Sequence, residues 1–130
     1  MAADDIVAEL QTIFAKVPRP GIPPDYVPGD KLGNPGWDEF TYHSALVFAE
    51  QLPDHFRRAF ASPDKQIPDL LWHLSDSERL GVFSNKQIGV LIHGLDVLQT
   101  EQAEVMARDD VQIRLRAVRD TLERLAARPE

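Results

Sequence analysis

Two segments of the chain repeat one pattern of potential metal ligands. Residues 71–76 and 91–96 both follow the pattern Leu-x-His-x-x-Asp, in which a histidine precedes an aspartate by three residues. On a helix such residues share one face, and facing helices of a bundle hold metal ions with imidazole and carboxylate groups. The pattern therefore supports the hypothesis of a metal site formed by His73, Asp76, His93 and Asp96.

Two further residues and one structural alternative bear on this hypothesis. Glu39 and His43 are spaced one helical turn apart and are candidates to complete the site. The alternative is that these side chains cap helices or face solvent. Ser75 has the residue type of an N-cap and would place Asp76 in the first turn of a helix, where its charge is favourable. His55 is predicted to be solvated.

Other catalytic chemistry finds no support in the sequence. The chain has no cysteine, which excludes disulfides, thiolate metal ligands and a cysteine nucleophile. It contains no phosphate-binding loop, no G-x-S-x-G nucleophile motif and no H-E-x-x-H motif. We therefore predict a protein without enzymatic activity and without a cofactor.

The charge of the chain favours one class of partner. The net charge is −7, and residues 108–130 hold six arginines and five acidic residues, so the acidic excess lies before them. Such a surface repels nucleic acid and attracts a basic protein. The leading hypothesis is a non-enzymatic regulatory protein, such as an immunity-type inhibitor of a basic partner protein. The predicted contacts are Asp25, Asp30, Asp38 and Glu39.

Hydrophobic periodicity predicts a single all-α domain over residues 1–130, folded as a compact bundle of five to six helices without a significant sheet. The first helix is expected from Asp5 to Lys16. Residues 18–36 hold six prolines and four glycines, a density that excludes regular structure. They are expected to form a long ordered coil between helices 1 and 2.

Prolines set the expected ends of the middle helices. The second helix is predicted to begin near residues 37–38 and to end before Pro53, which would open a short third helix that ends at Ser62. Pro68 is predicted to open a fourth helical segment. Because the side chains of the second helix are apolar on most of its circumference, this helix is expected at the centre of the domain.

The following helix has the clearest start signal. Ser84 and Gln87 are spaced as a capping box, so the fifth helix is predicted to begin at Asn85. Gly89 and Gly94 within it are predicted to mark the close approach of a neighbouring helix.

The last helix is predicted to begin after Asp109, as a separate element rather than a continuation of the fifth. It carries a heptad seam, formed by Val111, Leu115, Val118, Leu122 and Leu125. The seam is expected to pack within the domain. The alternative is a homodimeric adaptor through this helix, and we expect a monomer or a weak homodimer.

Two remaining features concern burial and location. Trp37 and Trp72 occupy helix-compatible core positions and are predicted to be buried. The acidic N-terminus lacks the features of a signal peptide, and no segment is long and apolar enough to span a bilayer. A cytoplasmic protein that binds neither membrane nor nucleic acid is therefore expected.

Overall fold

A computed structural model describes residues 2–17, 39–75 and 77–129. These ranges form helices α1 (Ala2–Ile13), α2 (Glu39–Ala61), α3 (Pro63–His73), α4 (Ser77–Leu80), α5 (Asn85–Glu101), α6 (Ala103–Met106) and α7 (Asp109–Ala126). The absence of strands from these ranges confirms the predicted all-α class. None of their helices has the length and apolar character needed to cross a bilayer. The coil predicted at residues 18–36 lies outside the described residues.

Helix α2 lies at the centre of the bundle. Helices α1, α3, α4 and α5 all pack against it, and Phe48, Leu52 and Phe56 are fully buried. Burying a side chain of this size stabilises the fold by roughly 1.5–3 kcal/mol. The predicted central position of this helix is confirmed.

The predicted break at Pro53 is wrong, because α2 runs from Glu39 to Ala61 with the proline inside it. Pro53 lacks the N–H group that would bond to the carbonyl of Ala49, a loss of about 3 kcal/mol. Buried side chains on both sides of the proline, among them Leu52 and Phe56, belong to one core. Their combined burial outweighs the cost of the proline.

The prolines of α3 also differ from the prediction. Ser62 is the N-cap of α3 and Pro63 is its first residue, a position at which a missing N–H costs nothing. Pro68 lies inside α3 rather than at the start of a segment. The Asp64 carbonyl, which Pro68 cannot bond, accepts a hydrogen bond from Arg108 Nη1 at 3.5 Å. Since Ser62 alone separates α2 from α3, the two helices pack against each other.

The buried side chain of Gln87 joins two helix ends. Its Oε1 accepts the Ser84 N–H at 2.9 Å, and the Ser84 hydroxyl accepts the Gln87 N–H at 3.1 Å, which confirms the predicted capping box. Its Nε2 donates to the carbonyls of Ile13 and Lys16 at 2.8 and 2.7 Å. Carbonyls at a helix C-terminus lack intrahelical donors, so Gln87 both starts α5 and caps α1, which ends three residues earlier than predicted.

The two glycines of α5 differ in their surroundings. A Cβ atom at Gly94 would lie 2.6 Å from Phe56 Cε1, which confirms the predicted close approach of a neighbouring helix. A Cβ atom at the exposed Gly89 would meet nothing within 4 Å, so the same prediction is wrong there.

The last helix is a separate element, as predicted. Gln102 separates α5 from α6, and its Nε2 donates to the Phe60 carbonyl at 3.2 Å near the end of α2. Helix α7 begins at Asp109 and packs against α3 and α5. Four seam residues are buried within the chain, as predicted: Val111, Leu115, Val118 and Leu122. A homodimer through α7 stays a prediction, and the exposed surface available for it includes Ile113.

Replacing Gly94 by alanine is expected to lower the free energy of unfolding by about 1–3 kcal/mol, because the added methyl group would overlap the Phe56 ring. The same replacement at Gly89 is the matched control. It is expected to raise that free energy by about 0.5–1 kcal/mol, because alanine favours the helix and meets no obstruction. Urea unfolding followed by circular dichroism measures both changes, and equal effects of the two variants would contradict the packing described here.

Replacing Gln87 by glutamate is expected to lower the free energy of unfolding by about 2–4 kcal/mol at neutral pH. The introduced carboxylate still accepts from Ser84 but directs a negative charge at the carbonyls of Ile13 and Lys16. Burial and these carbonyls raise the pKa of the introduced carboxyl in the folded state. The loss should therefore shrink as the pH falls through that pKa, because the protonated group donates again.

The control for this variant is Gln99→Glu on the same helix. Gln99 Oε1 accepts a hydrogen bond from Arg119 at 3.3 Å, and a carboxylate accepts that bond equally well. Urea unfolding at several pH values should therefore show a large, pH-dependent loss for Gln87→Glu and little loss for the control. Equal losses would contradict the capping role of Gln87.

Candidate metal centre

Two histidine rings from adjacent helices stack on each other. His55 of α2 and His73, the last residue of α3, have ring centroids 4.3 Å apart and ring planes 28° apart. Phe48, two helical turns before His55 on α2, lies beside the pair, with its centroid 6.4 Å from that of His73. The apolar ring and the packing of α2 on α3 hold the two imidazoles together.

A carboxylate completes a group of three potential ligands. Asp69 lies one turn before His73 on α3, and its Oδ2 is 3.6 Å from His73 Nε2. One donor atom from each of His55, Asp69 and His73 lies within 4.8 Å of the other two. Donor atoms around a tetrahedral zinc ion lie roughly 3.3–3.6 Å apart, given bonds of about 2.0–2.2 Å. Small side-chain rotations would therefore bring the three donors to bonding distance.

The electrostatics of His55 suit a metal ligand. Its Nε2 is buried and has no hydrogen-bond partner. Burial lowers the pKa of His55 below the ordinary 6.5, the neighbouring His73 and the cations of Arg58 and Arg79 lower it further, and Asp69 opposes them. A neutral imidazole is the form that binds metal. An unsatisfied buried nitrogen costs about 1–3 kcal/mol, a cost that a bound cation would remove.

Cations near the group are partly compensated by other residues. Arg58 pairs with Asp54 at 2.8 Å, and Asp54 also pairs with Arg57. The Arg79 guanidinium lies 4.3 Å from the centre of the Phe48 ring. The carboxylate of Asp54 therefore partly offsets the effect of the Arg58 charge on the histidine pair.

Two imidazoles and one carboxylate define the chemistry that is available. This set suits divalent ions such as Zn²⁺ and Fe²⁺. Three protein ligands leave at least one coordination position of a tetrahedral ion open, as in zinc sites that bind water or a substrate.

The predicted metal ligands are placed differently from one another. His73 belongs to the group, whereas in the described part of the chain neither His93 nor Asp96 does. His93 is exposed on α5, and Asp96 pairs with Arg119 of α7 at 2.7 Å. Asp76 lies outside the described residues.

The remaining predicted residues are the candidate ligands His43 and Glu39 and the acidic partner contacts. His43 is exposed on α2, 12 residues or roughly 18 Å along the helix from His55. Glu39 is the first residue of α2, and its side chain is not described. Asp25, Asp30 and Asp38 lie outside the described residues, so an acidic contact surface for a partner protein stays a prediction.

Two members of the group, His55 and Asp69, were not predicted from the sequence. Asp69 and His73 have an i, i+4 spacing, which is a visible signal for a shared helix face. His55 was predicted to be solvated because Pro53 was expected to end the second helix. With α2 continuous, His55 falls on the face of Phe48 and turns toward α3, so that prediction is wrong.

The two tryptophans also bear on this region. Trp72 is 61% exposed, and its ring meets the His73 ring edge-on at 5.2 Å. The predicted burial of Trp72 is therefore wrong, because its neighbours on α3, Leu71 and His73, face the interior instead. Trp37 lies outside the described residues.

The titration of His55 should appear in the stability of the metal-free protein. Its folded-state pKa lies below 6.5, so the unfolded chain takes up a proton that the folded chain does not. Stability should thus fall as the pH drops below about 6.5. His55→Gln removes this titration and should flatten the profile between about pH 7.5 and 5.5, as urea unfolding with a chelator measures.

The control for this titration is His93→Gln, which replaces an exposed histidine of α5. Its stability profile should keep the slope of the parent protein over the same pH range. A His55→Gln profile parallel to the parent would contradict the assignment.

Comparisons with known proteins found no match for this chain. The chain matches no protein-family model, no curated protein and no solved structure. A function for this chain can therefore be inferred only from its residues and their geometry.

Proposed function

We propose that this protein binds a divalent transition-metal ion through His55, Asp69 and His73. The observation that carries the proposal is the convergence of three donor groups from two helices, together with a buried Nε2 of His55 that has no hydrogen-bond partner. The Asp69–His73 contact alone is an ordinary pair one helical turn apart on α3. The stacking of His55 on His73 is not explained by that pair.

The choice of metal follows from the donors. Nitrogen and carboxylate oxygen without thiolate favour Zn²⁺, Fe²⁺ and related ions over Cu⁺. Zn²⁺ is the most practical probe, because it is not redox-active and accepts four ligands. We also propose that water or a small ligand binds the metal at its open coordination position.

Zinc titration of untagged protein tests the proposal. Isothermal titration calorimetry should give one Zn²⁺ per chain, with proton release and an affinity that weakens as the pH falls, because protons compete for the two imidazoles. His55→Gln, His73→Gln and Asp69→Asn should each weaken binding at least about tenfold, since the loss of a ligand exceeds the 10–100-fold effect of removing a supporting residue.

The exposed His93 provides a matched control. His93→Gln removes an imidazole without touching the group and should leave the zinc affinity unchanged. Circular dichroism of each variant verifies that the fold persists. A His55→Gln variant that binds zinc as tightly as the parent, or a parent with no stoichiometric binding, would disprove the proposal.

A further inference from the structure

A groove between α3 and α7 opens beside the histidine pair. Its volume is about 470 Å³, within the range of roughly 300–1,000 Å³ that is typical of small-molecule sites. Its apolar lining includes Pro68 and Leu71 of α3 and Val111 of α7. Leu71 and Val111 are buried core residues, so the groove is formed where the two helices meet.

One wall of the groove presents a flat aromatic surface. Trp72 lines the groove and is one of the large apolar side chains most exposed in the described part of the chain, at 61%. Its edge-on contact with His73 restrains the ring on one side. An exposed, restrained indole is a surface on which a planar apolar group can stack.

Some of the charged side chains that line the groove are already paired within the chain, and others are not. Asp110 is held by Arg108 at 2.7 Å, and Asp69 lies 3.6 Å from His73. The cations of Lys65 and Arg114 line the same groove, and neither forms an ion pair or hydrogen bond in the described part of the chain. Because Asp110 is paired, the charges left for a ligand are those of Lys65, Arg114 and Asp69, an excess of one positive charge on a chain whose net charge is −7.

We infer that this groove binds a small organic anion with a planar apolar part. The carboxylate of the ligand would contact Lys65 and Arg114, and its ring would lie against Trp72 and the apolar lining. The inference does not depend on metal at the histidine pair, because none of these three groups belongs to that site.

The test compares three probes that share one aromatic ring in metal-free protein. Phenylacetate is an anion, 2-phenylethanol is neutral and phenethylamine is a cation. Phenylacetate should bind saturably, several-fold more tightly than the other two. In two-dimensional amide NMR spectra its shifts should concentrate on the Trp72 indole N–H and on the amides of α3 and α7.

Charge-neutralising variants locate the binding site. Arg114→Gln and Lys65→Gln should each weaken phenylacetate binding about threefold to fivefold, as expected for one solvent-exposed ion pair. Trp72→Ala should weaken the binding of all three probes. The control Arg116→Gln removes the same charge from an exposed position on α7 that does not line the groove, and it should leave binding unchanged.

Three outcomes would overturn the inference. The first is phenethylamine binding as tightly as phenylacetate, because Asp69 and Asp110 would then dominate. The second is an equal loss of affinity in Arg114→Gln and Arg116→Gln, which would indicate a non-specific charge effect. The third is an absence of saturation up to about 20 mM phenylacetate, because a site with a Kd of about 1 mM is nearly fully occupied at that concentration.

Discussion

The contact between Phe56 and Gly94 sets the orientation of α2, on which the candidate metal centre depends. The Phe56 ring occupies the space that a Cβ atom of residue 94 would need, so it fixes the rotation of α2 against α5. His55 precedes Phe56 and points about 100° away around the helix. With Phe56 directed at α5, His55 lies against His73 of α3. An apolar contact between two helices thus positions a polar group of one of them against a third helix.

The histidine pair has an energetic cost that an apolar core would avoid. The buried Nε2 of His55 lacks a hydrogen-bond partner, and such a group lowers stability by about 1–3 kcal/mol. Unsatisfied polar groups and strain persist at functional sites when the surrounding structure determines their geometry. Here the surrounding structure includes Phe48 and the one-residue link at Ser62 between α2 and α3.

Long polar side chains hold the helix ends together. Gln87 of α5 donates to carbonyls at the end of α1, Gln102 donates to the Phe60 carbonyl near the end of α2, and Arg108 supplies the donor that Pro68 cannot. Each replaces a backbone hydrogen bond missing at a helix end or a proline. These contacts join elements distant in sequence, so they help to fix the packing of the helices as well as their lengths.

Local patterns in the sequence determined the helical class, the capping box at Ser84 and Gln87, the separate start of α7 and its buried seam. These follow from interactions between residues three or four positions apart, which any helix brings together. The Asp69–His73 pair belongs to the same kind of pattern, so two of the three members of the candidate centre were open to prediction.

Only the tertiary structure decided whether α2 continues through Pro53, whether Gly94 or Gly89 meets a neighbour, and which histidine lies beside His73. Each outcome depends on the summed burial of side chains from several helices, a quantity that no single segment contains. His55 reached His73 because packing on both sides of Pro53 outweighed the local cost of the proline. Residue spacing within one helix carries no information about that balance.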